Sequence, residues 1–200
     1  ITAAAQMPEY ADIVSGALRL TGALNTDALR AALDDLVMRH ESLRTVFSAA
    51  ADGNAEQWIK PAGTLPLSLI DLRGGRDEQL TEEARRLKAE PFDLTQGPLL
   101  RAALIRTDDD THVLAVVMRH IISDGASMQL LIDELAAGYA AHSTGKMQSQ
   151  IAPRIQYADY ALWQRRSLQG ETLTRLESYW KQKLTGAPPF GYPSAEVLHH

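Results

Sequence analysis

The sequence predicts an α/β (α+β) fold, a mixed β-sheet covered by helices. Three observations predict it. Segments with a period of two and segments with a period of about 3.6 alternate along the chain, as strands and covering helices do. Residues 111–118, "THVLAVVM", are apolar at nearly every position, the mark of a mid-sheet strand buried on both faces. Proline and glycine separate the short strand candidates "QWIK" and "LPLSLI", and proline and glycine cluster again in "TGAPPFGYP".

Each element follows in order. Residues 13–24 read as a strand with Val14, Leu18 and Leu20 on one face. In 24–40, Leu29, Leu33, Leu36 and Val37 recur at helical spacing. Asn25 or Thr26 is the candidate cap, and Asp27 suits the positive end of the helix dipole. Residues 42–47, "SLRTVF", turn extended, and "QWIK" and "LPLSLI" are short strand candidates separated by proline and glycine. Residues 77–90 form an amphipathic helix with Leu80, Ala84 and Leu87 inward, stopped by Pro91. "GPLLRAALIR" and "THVLAVVM" flank the polar turn "TDDD" and predict a hairpin. Residues 127–142 place Met128, Leu131, Ile132, Leu135 and Tyr139 on one helical stripe. Two further helices cover 155–169 and 171–184, and "TGAPPFGYP" reads as an open linker. No internal repeat is present.

Composition narrows the functional classes. With 45% hydrophobic and 22% charged residues the 200-residue chain can form a packed core. A net charge of −5, with basic residues scattered among acids, argues against a nucleic-acid binder. There is no cysteine, hence no disulfide, thiolate zinc site or cysteine nucleophile. That fits a reducing compartment, and a cytoplasmic location is the expectation. No apolar stretch reaches the length of a membrane helix, and "ITAAAQMPEY" lacks the features of a signal peptide.

One stretch stands out chemically: "VVMRHIISDG", residues 116–125. A buried strand ends at His120, and Asp124 and Gly125 follow at a turn. A strand end fixes an imidazole in place while the turn exposes its edge, and histidine exchanges protons near neutral pH. Asp124 can hold the loop through backbone hydrogen bonds or an arginine partner. Gly125 permits a positive φ or a close backbone approach. On a strand, Arg119 should point away from His120. From spacing alone the plainer reading, ordinary strand-end and turn residues, is favoured over a site, because a lone His-x-x-x-Asp is a weak pattern.

Other chemistries find less support. There is no H-E-x-x-H for a metal, no G-x-S-x-G around Ser123, and no P-loop or G-x-G-x-x-G. The acids of "TDDDT" read as a solvated hairpin tip. Trp58, Trp163 and Trp180 read as core or helix-packing residues rather than a stacking platform. His40, His112 and His142 read as surface or helix-end residues.

Five stretches taken together resemble a known family. "RHIISDG" is similar to the H-H-x-x-x-D-G core motif of nonribosomal peptide synthetase condensation domains. "RHESLRTVF" (39–47), "PFDLTQGPLLRAALIR" (91–106), "IQYADYALWQR" (155–165) and "YWKQKLTGAPP" (179–189) resemble its other motifs, in family order. The resemblance implies a chloramphenicol-acetyltransferase-like fold of two lobes, with the histidine at their junction. It implies amide formation between a carrier-tethered acyl or peptidyl donor and an aminoacyl acceptor. His120 would be the catalytic histidine, with Asp124, Gly125 and Arg119 as structural support. No metal or directly bound cofactor is implied; 4′-phosphopantetheine thioesters arrive on upstream and downstream carrier proteins. An adjacent adenylation domain and the second lobe are the other implied partners, with no nucleic acid and no membrane.

The chain departs from the family pattern in three respects. Arg119 stands where the first motif histidine is usual, and the family's opening serine-glutamine-arginine-tryptophan block is not recognisable. Only the first lobe matches: residues 1–189 read as an N-terminal lobe with little activity alone, and 190–200 as a linker or tail. Two rival functions remain: a non-catalytic recruiting relative, which Arg119 favours, or an epimerising or acyl-transferring relative with the same core motif. The motifs at 39–47 and 91–106 favour condensation over the latter, and His120 speaks against a heterocyclising relative.

Overall fold

The computed structural model describes residues 12–145 and 153–187. Along the chain lie β1 (Ile13–Thr21), α1 (Thr26–Arg39), a 3-10 turn (Glu41–Arg44), β2 (Thr45–Ala49), β3 (Ala55–Ile59) and β4 (Leu67–Asp71). They are followed by α2 (Asp77–Ala89), β5 (Leu100–Asp108), β6 (Thr111–Arg119), α3 (Gly125–Thr144), α4 (Tyr157–Ser167) and α5 (Gly170–Leu184). The chain divides into two compact units, Ile1–Ala158 and Asp159–His200.

The first unit is built on a mixed sheet of order β1-β6-β5-β4, antiparallel except where β4 runs parallel to β5. The sheet is covered by helices on both faces, as the sequence predicts. The hairpin joins β5 to β6, and β6 lies mid-sheet with residues 114–118 buried. Alternation along β6 divides its side chains between two faces. Leu114, Val116 and Met118 pack with Leu29, Leu33 and Leu36 of α1 and Leu131 and Leu135 of α3. Ala115 packs with Ala103 and Ile105 and with Leu80 and Leu87 of α2. The cluster under α1 and α3 is much the larger, eighteen buried residues against three in the cluster under α2, so the main core lies under α1 and α3. At about 1.5–3 kcal/mol for each fully buried large aliphatic side chain, that face dominates the stability of the unit.

Local rules explain the element ends. Asn25 caps α1 by accepting from the Ala28 amide, as foreseen. Gly138 is buried where α3 crosses α1; a Cβ there would stand 3.2 Å from the Ala32 Cβ. Gly97, before β5, takes φ +61° and faces Val46, where a Cβ would meet Cγ1 at 2.9 Å.

Several expectations are corrected. β1 ends at Thr21 rather than residue 24, because Gly22 turns out at φ +99° and donates to the Asp110 carbonyl. Residues 42–44 are not extended: the 3-10 turn inserts Leu43 into the core before β2 begins. β3 lies outside the main sheet and, among the described residues, pairs with β2 alone as a two-stranded ribbon. Trp58 on that ribbon is 58% exposed, so it is not a core residue. Trp163 and Trp180 are likewise exposed, because α4 and α5 contribute no buried residue among the described ones. Trp163 lies against Tyr160 in the same helix, and Trp180 edge-on to Tyr179.

In the second unit, α5 carries the ion pair Glu177–Lys181 at 3.2 Å and places Lys183 over the Tyr179 ring. Most of the "TGAPPFGYP" linker, the 190–200 tail and the N-terminal "ITAAAQMPEY" lie outside the described residues. Among the described residues no helix is long and apolar enough to cross a membrane.

Candidate functional site

The site is a turn at the end of β6. Met118 is buried, Arg119 half-buried and His120 exposed, so the strand carries the chain out of the core within three residues. Ile122 re-enters the core and pins the turn. Its amide donates to the Arg119 carbonyl at 3.1 Å, and the buried Ser123 hydroxyl donates to the same carbonyl at 3.1 Å. The His120 amide donates to the Asp12 carbonyl at 2.7 Å. The backbone of His120 is therefore held, while among the described residues no hydrogen bond or ion pair engages its ring. A fixed, uncommitted, solvent-facing imidazole can accept a proton or a hydrogen bond from a ligand.

Asp124 is the N-cap of α3. Its carboxylate accepts from the Ser127 amide at 2.8 Å and the Ser127 hydroxyl at 2.6 Å, and its own amide donates to that hydroxyl at 3.2 Å. The Ser127 hydroxyl, then the Ser127 amide, hold the Asp124 carboxyl below the ordinary 3.8, with a smaller contribution from the charge of His120. Of the two means of holding the loop that the sequence allows, backbone hydrogen bonding is the one seen. Among the described residues no arginine pairs with Asp124. Gly125 is the first residue of α3 and does not take a positive φ, so that rationale is corrected. A Cβ at Gly125 would meet nothing within 4 Å, which leaves its outer side open.

Arg119 lies with Ile13, Lys88, Pro91 and Phe92 on the α2 side of the sheet, across from α3. Its Nη2 donates to Asp12 Oδ2 at 2.6 Å, and its Nε is buried without a partner among the described residues.

A second polar cluster ties the other motif segments together. Arg39 Nη1 donates to Glu134 Oε2 at 2.6 Å, and His40 Nε2 lies 2.6 Å from the same oxygen. Gln156 donates to the Arg39 carbonyl and accepts from the Glu41 amide. The start of the 155–165 stretch thus meets the 39–47 stretch, which is itself tied to α3. In 91–106, Asp93 accepts from the Thr95 amide and hydroxyl, the Arg101 guanidinium lies over Phe92, and it donates to the carbonyls of Glu90 and Pro91. A cavity of about 140 Å³ is lined by His40, Ser42, Met118, Ser123, Ser127 and Leu130 among others. It connects the cluster to the turn that bears His120.

Of the other histidines, His40 caps α1, as a helix-end residue, but is half-buried. His142 lies near the end of α3, 2.7 Å from Asp35. His112 sits on β6 with a buried Nδ1, which corrects its surface or helix-end assignment. At the hairpin tip Asp109 pairs with Arg73 at 2.9 Å and with Arg106 at 3.4 Å. Among the described residues no group of three or more His, Asp or Glu is placed to hold a metal.

Nothing in the sequence singles out Asp12 or Glu134. Each is joined to its arginine across about a hundred residues, 107 for Asp12 and 95 for Glu134, so no local pattern marks them.

The condensation-domain family model matches residues 8–193. The chain belongs to the condensation-domain family. Curated members similar to this condensation-domain chain are nonribosomal peptide synthetases of antibiotic and peptide biosynthesis. Malpinin synthetase of Mortierella alpina is 44% identical over 86% of the chain, which spans 2% of that protein. Phosphinothricin tripeptide synthetase PhsC of Streptomyces viridochromogenes is 43% identical over 88% of the chain, which spans 16% of it. The chain therefore covers a small part of the curated relatives it matches. Among solved structures, the X-domain from teicoplanin biosynthesis superposes with TM-score 0.79 at 32% identity, over 91% of this chain and 42% of that one. SgcC5 from Streptomyces globisporus superposes with TM-score 0.74 at 30% identity, over 92% and 42%.

Proposed function

We propose that, within an intact condensation domain, this chain supplies the histidine at which two carrier-bound thioesters are joined into an amide. The acceptor amine attacks the donor thioester carbonyl, the C–N bond forms, the C–S bond breaks, and the pantetheine thiolate leaves. The amine proton passes by way of His120, or is oriented by it, and ends on the departing sulfur or in solvent. Asp124 holds the start of α3 and does not exchange protons. Gly125 leaves room for the pantetheine arm. No cofactor is needed beyond the 4′-phosphopantetheine of the carrier proteins. The second lobe and an adjacent adenylation domain complete the working unit, and residues 1–189 serve as its N-terminal lobe, with 190–200 as a linker or tail.

The observation that carries this reading is His120 itself: backbone-anchored, its ring exposed and without a hydrogen bond among the described residues, and standing in a core motif within a family match that covers residues 8–193. Its exposure also supports low activity for these 200 residues alone, since condensation needs a second wall to exclude water and align two substrates.

The test uses the intact synthetase that contains this chain, loaded with donor and acceptor and read by mass spectrometry of the carrier-bound product. His120→Ala should lose most amide formation while folding normally. Unchanged product yield would remove His120 from the chemistry.

Two observations favour a second function, a recruiting module. Arg119 departs from the usual histidine pair, and the teicoplanin X-domain, 32% identical, was also solved in complex with OxyB. An intact synthetase that forms the amide across this domain excludes it.

A further inference from the structure

We infer that Asp12 and Arg119 form a two-point clamp that sets the position of His120, which makes both of them positioning residues. The inference rests on the proposed role of His120 and deepens it. Three features carry it. First, one residue grips both members of the dipeptide: the Asp12 carbonyl accepts the His120 amide at 2.7 Å, and the Asp12 carboxylate accepts Arg119 Nη2 at 2.6 Å. Second, the clamp sits at the end of a ladder. Ile13 pairs with Arg119 as the last register of β1 on β6, so Asp12 extends the ladder by one bond to the residue that leaves the core. Third, the arginine needs this partner. Its side chain is 18% exposed and its Nε has no acceptor among the described residues. Lys88 in the same recess carries like charge, and the nearby Glu90 lies 3.9 Å from Arg101. Asp12 is thus the anion that holds the guanidinium, and a half-buried charge left without it would move.

The arginine that departs from the family motif therefore has a task. It binds the start of β1 to the end of β6, and the same residue of β1's entry fixes the histidine backbone. A ring displaced by a fraction of an ångström remains folded but meets its substrate badly.

The experiment measures kcat and KM for carrier-bound acceptor in the intact synthetase, with thermal unfolding in parallel. Asp12→Asn and Arg119→Gln should each lower kcat by about tenfold, with KM unchanged and only a small fall in the unfolding midpoint, because Asp12 is 66% exposed. The double variant should be no worse than the poorer single variant, because both remove one interaction. Asp12→Glu should recover most of the rate. Wild-type kcat in both single variants, multiplicative losses in the double variant, or losses that track a falling midpoint would each overturn the clamp. His120→Ala, run beside them, separates the two claims. If it retains the wild-type rate, the proposed chemistry is wrong; if it is inactive while the clamp variants are unaffected, only the clamp is wrong.

Discussion

The tripeptide Met-Arg-His occurs twice in the chain, at 38–40 and at 118–120, and the two copies have opposite surroundings. At the end of α1, Arg39 and His40 share a single acid, Glu134, and are 8% and 17% exposed. At the end of β6, Arg119 has an acid of its own, Asp12, and among the described residues no acid forms an ion pair with the His120 ring. The methionines invert as well: Met38 is 57% exposed and Met118 1%. A helix end packed against a second helix commits its histidine to structure. A strand end that turns out of the sheet leaves its histidine available. The dipeptide does not determine the role; the acid opposite it does.

The contrast can be broken in several places. The largest effect is expected at His120. His120→Ala in the intact synthetase should lower the rate of amide formation by roughly 10²–10⁴, the range for loss of an acid–base or positioning histidine, at an unchanged unfolding midpoint. Next comes Glu134→Ala, which leaves the buried Arg39 without its carboxylate. It should cost about 2–4 kcal/mol, somewhat below the loss for a fully enclosed pair because Glu134 keeps a fifth of its surface in water. Denaturant unfolding of the intact domain checks this. Asp124→Ala should destabilise less than Glu134→Ala, since its bonds are at the surface; faster amide exchange over 125–128 is the expected signature. The smallest effect is the pH dependence of the same cap. The folded Asp124 carboxyl is held below its ordinary 3.8 by Ser127. A depressed carboxyl contributes stability that is complete above the ordinary value and is lost as pH falls through the folded one. The start of α3 should therefore fray only below about pH 4, and Asp124→Asn should remove that acid step.

Much of this arrangement is legible in the sequence because it is local. The apolar run of 113–118 marks the central strand, "TDDD" marks its hairpin, and the periodic leucines of 24–40 mark a helix whose cap, Asn25, is visible. Asp124 three residues before Ser127 is likewise a short-range cap. What is hidden depends on contacts between distant segments. Nothing near residue 12 announces that it will hold Arg119, and nothing on α3 announces that Glu134 will hold Arg39. The ribbon of β2 and β3 has strand character but pairs outside the main sheet, so Trp58 is exposed where an aromatic strand residue suggests burial. Gly125 suggests an unusual backbone, yet the Asp124 cap lets the helix start there in ordinary geometry.

The central claim is that the two Arg-His pairs divide structure from chemistry. The most direct test measures His40→Ala and His120→Ala side by side in the intact synthetase, recording the single-turnover rate of amide formation and the unfolding midpoint of each. The predicted result is a crossover: His120→Ala loses the rate and keeps the midpoint, while His40→Ala lowers the midpoint and keeps the rate of the folded fraction. A His120→Ala synthetase that condenses at the wild-type rate, or a His40→Ala synthetase that is fully folded but inactive, would contradict it.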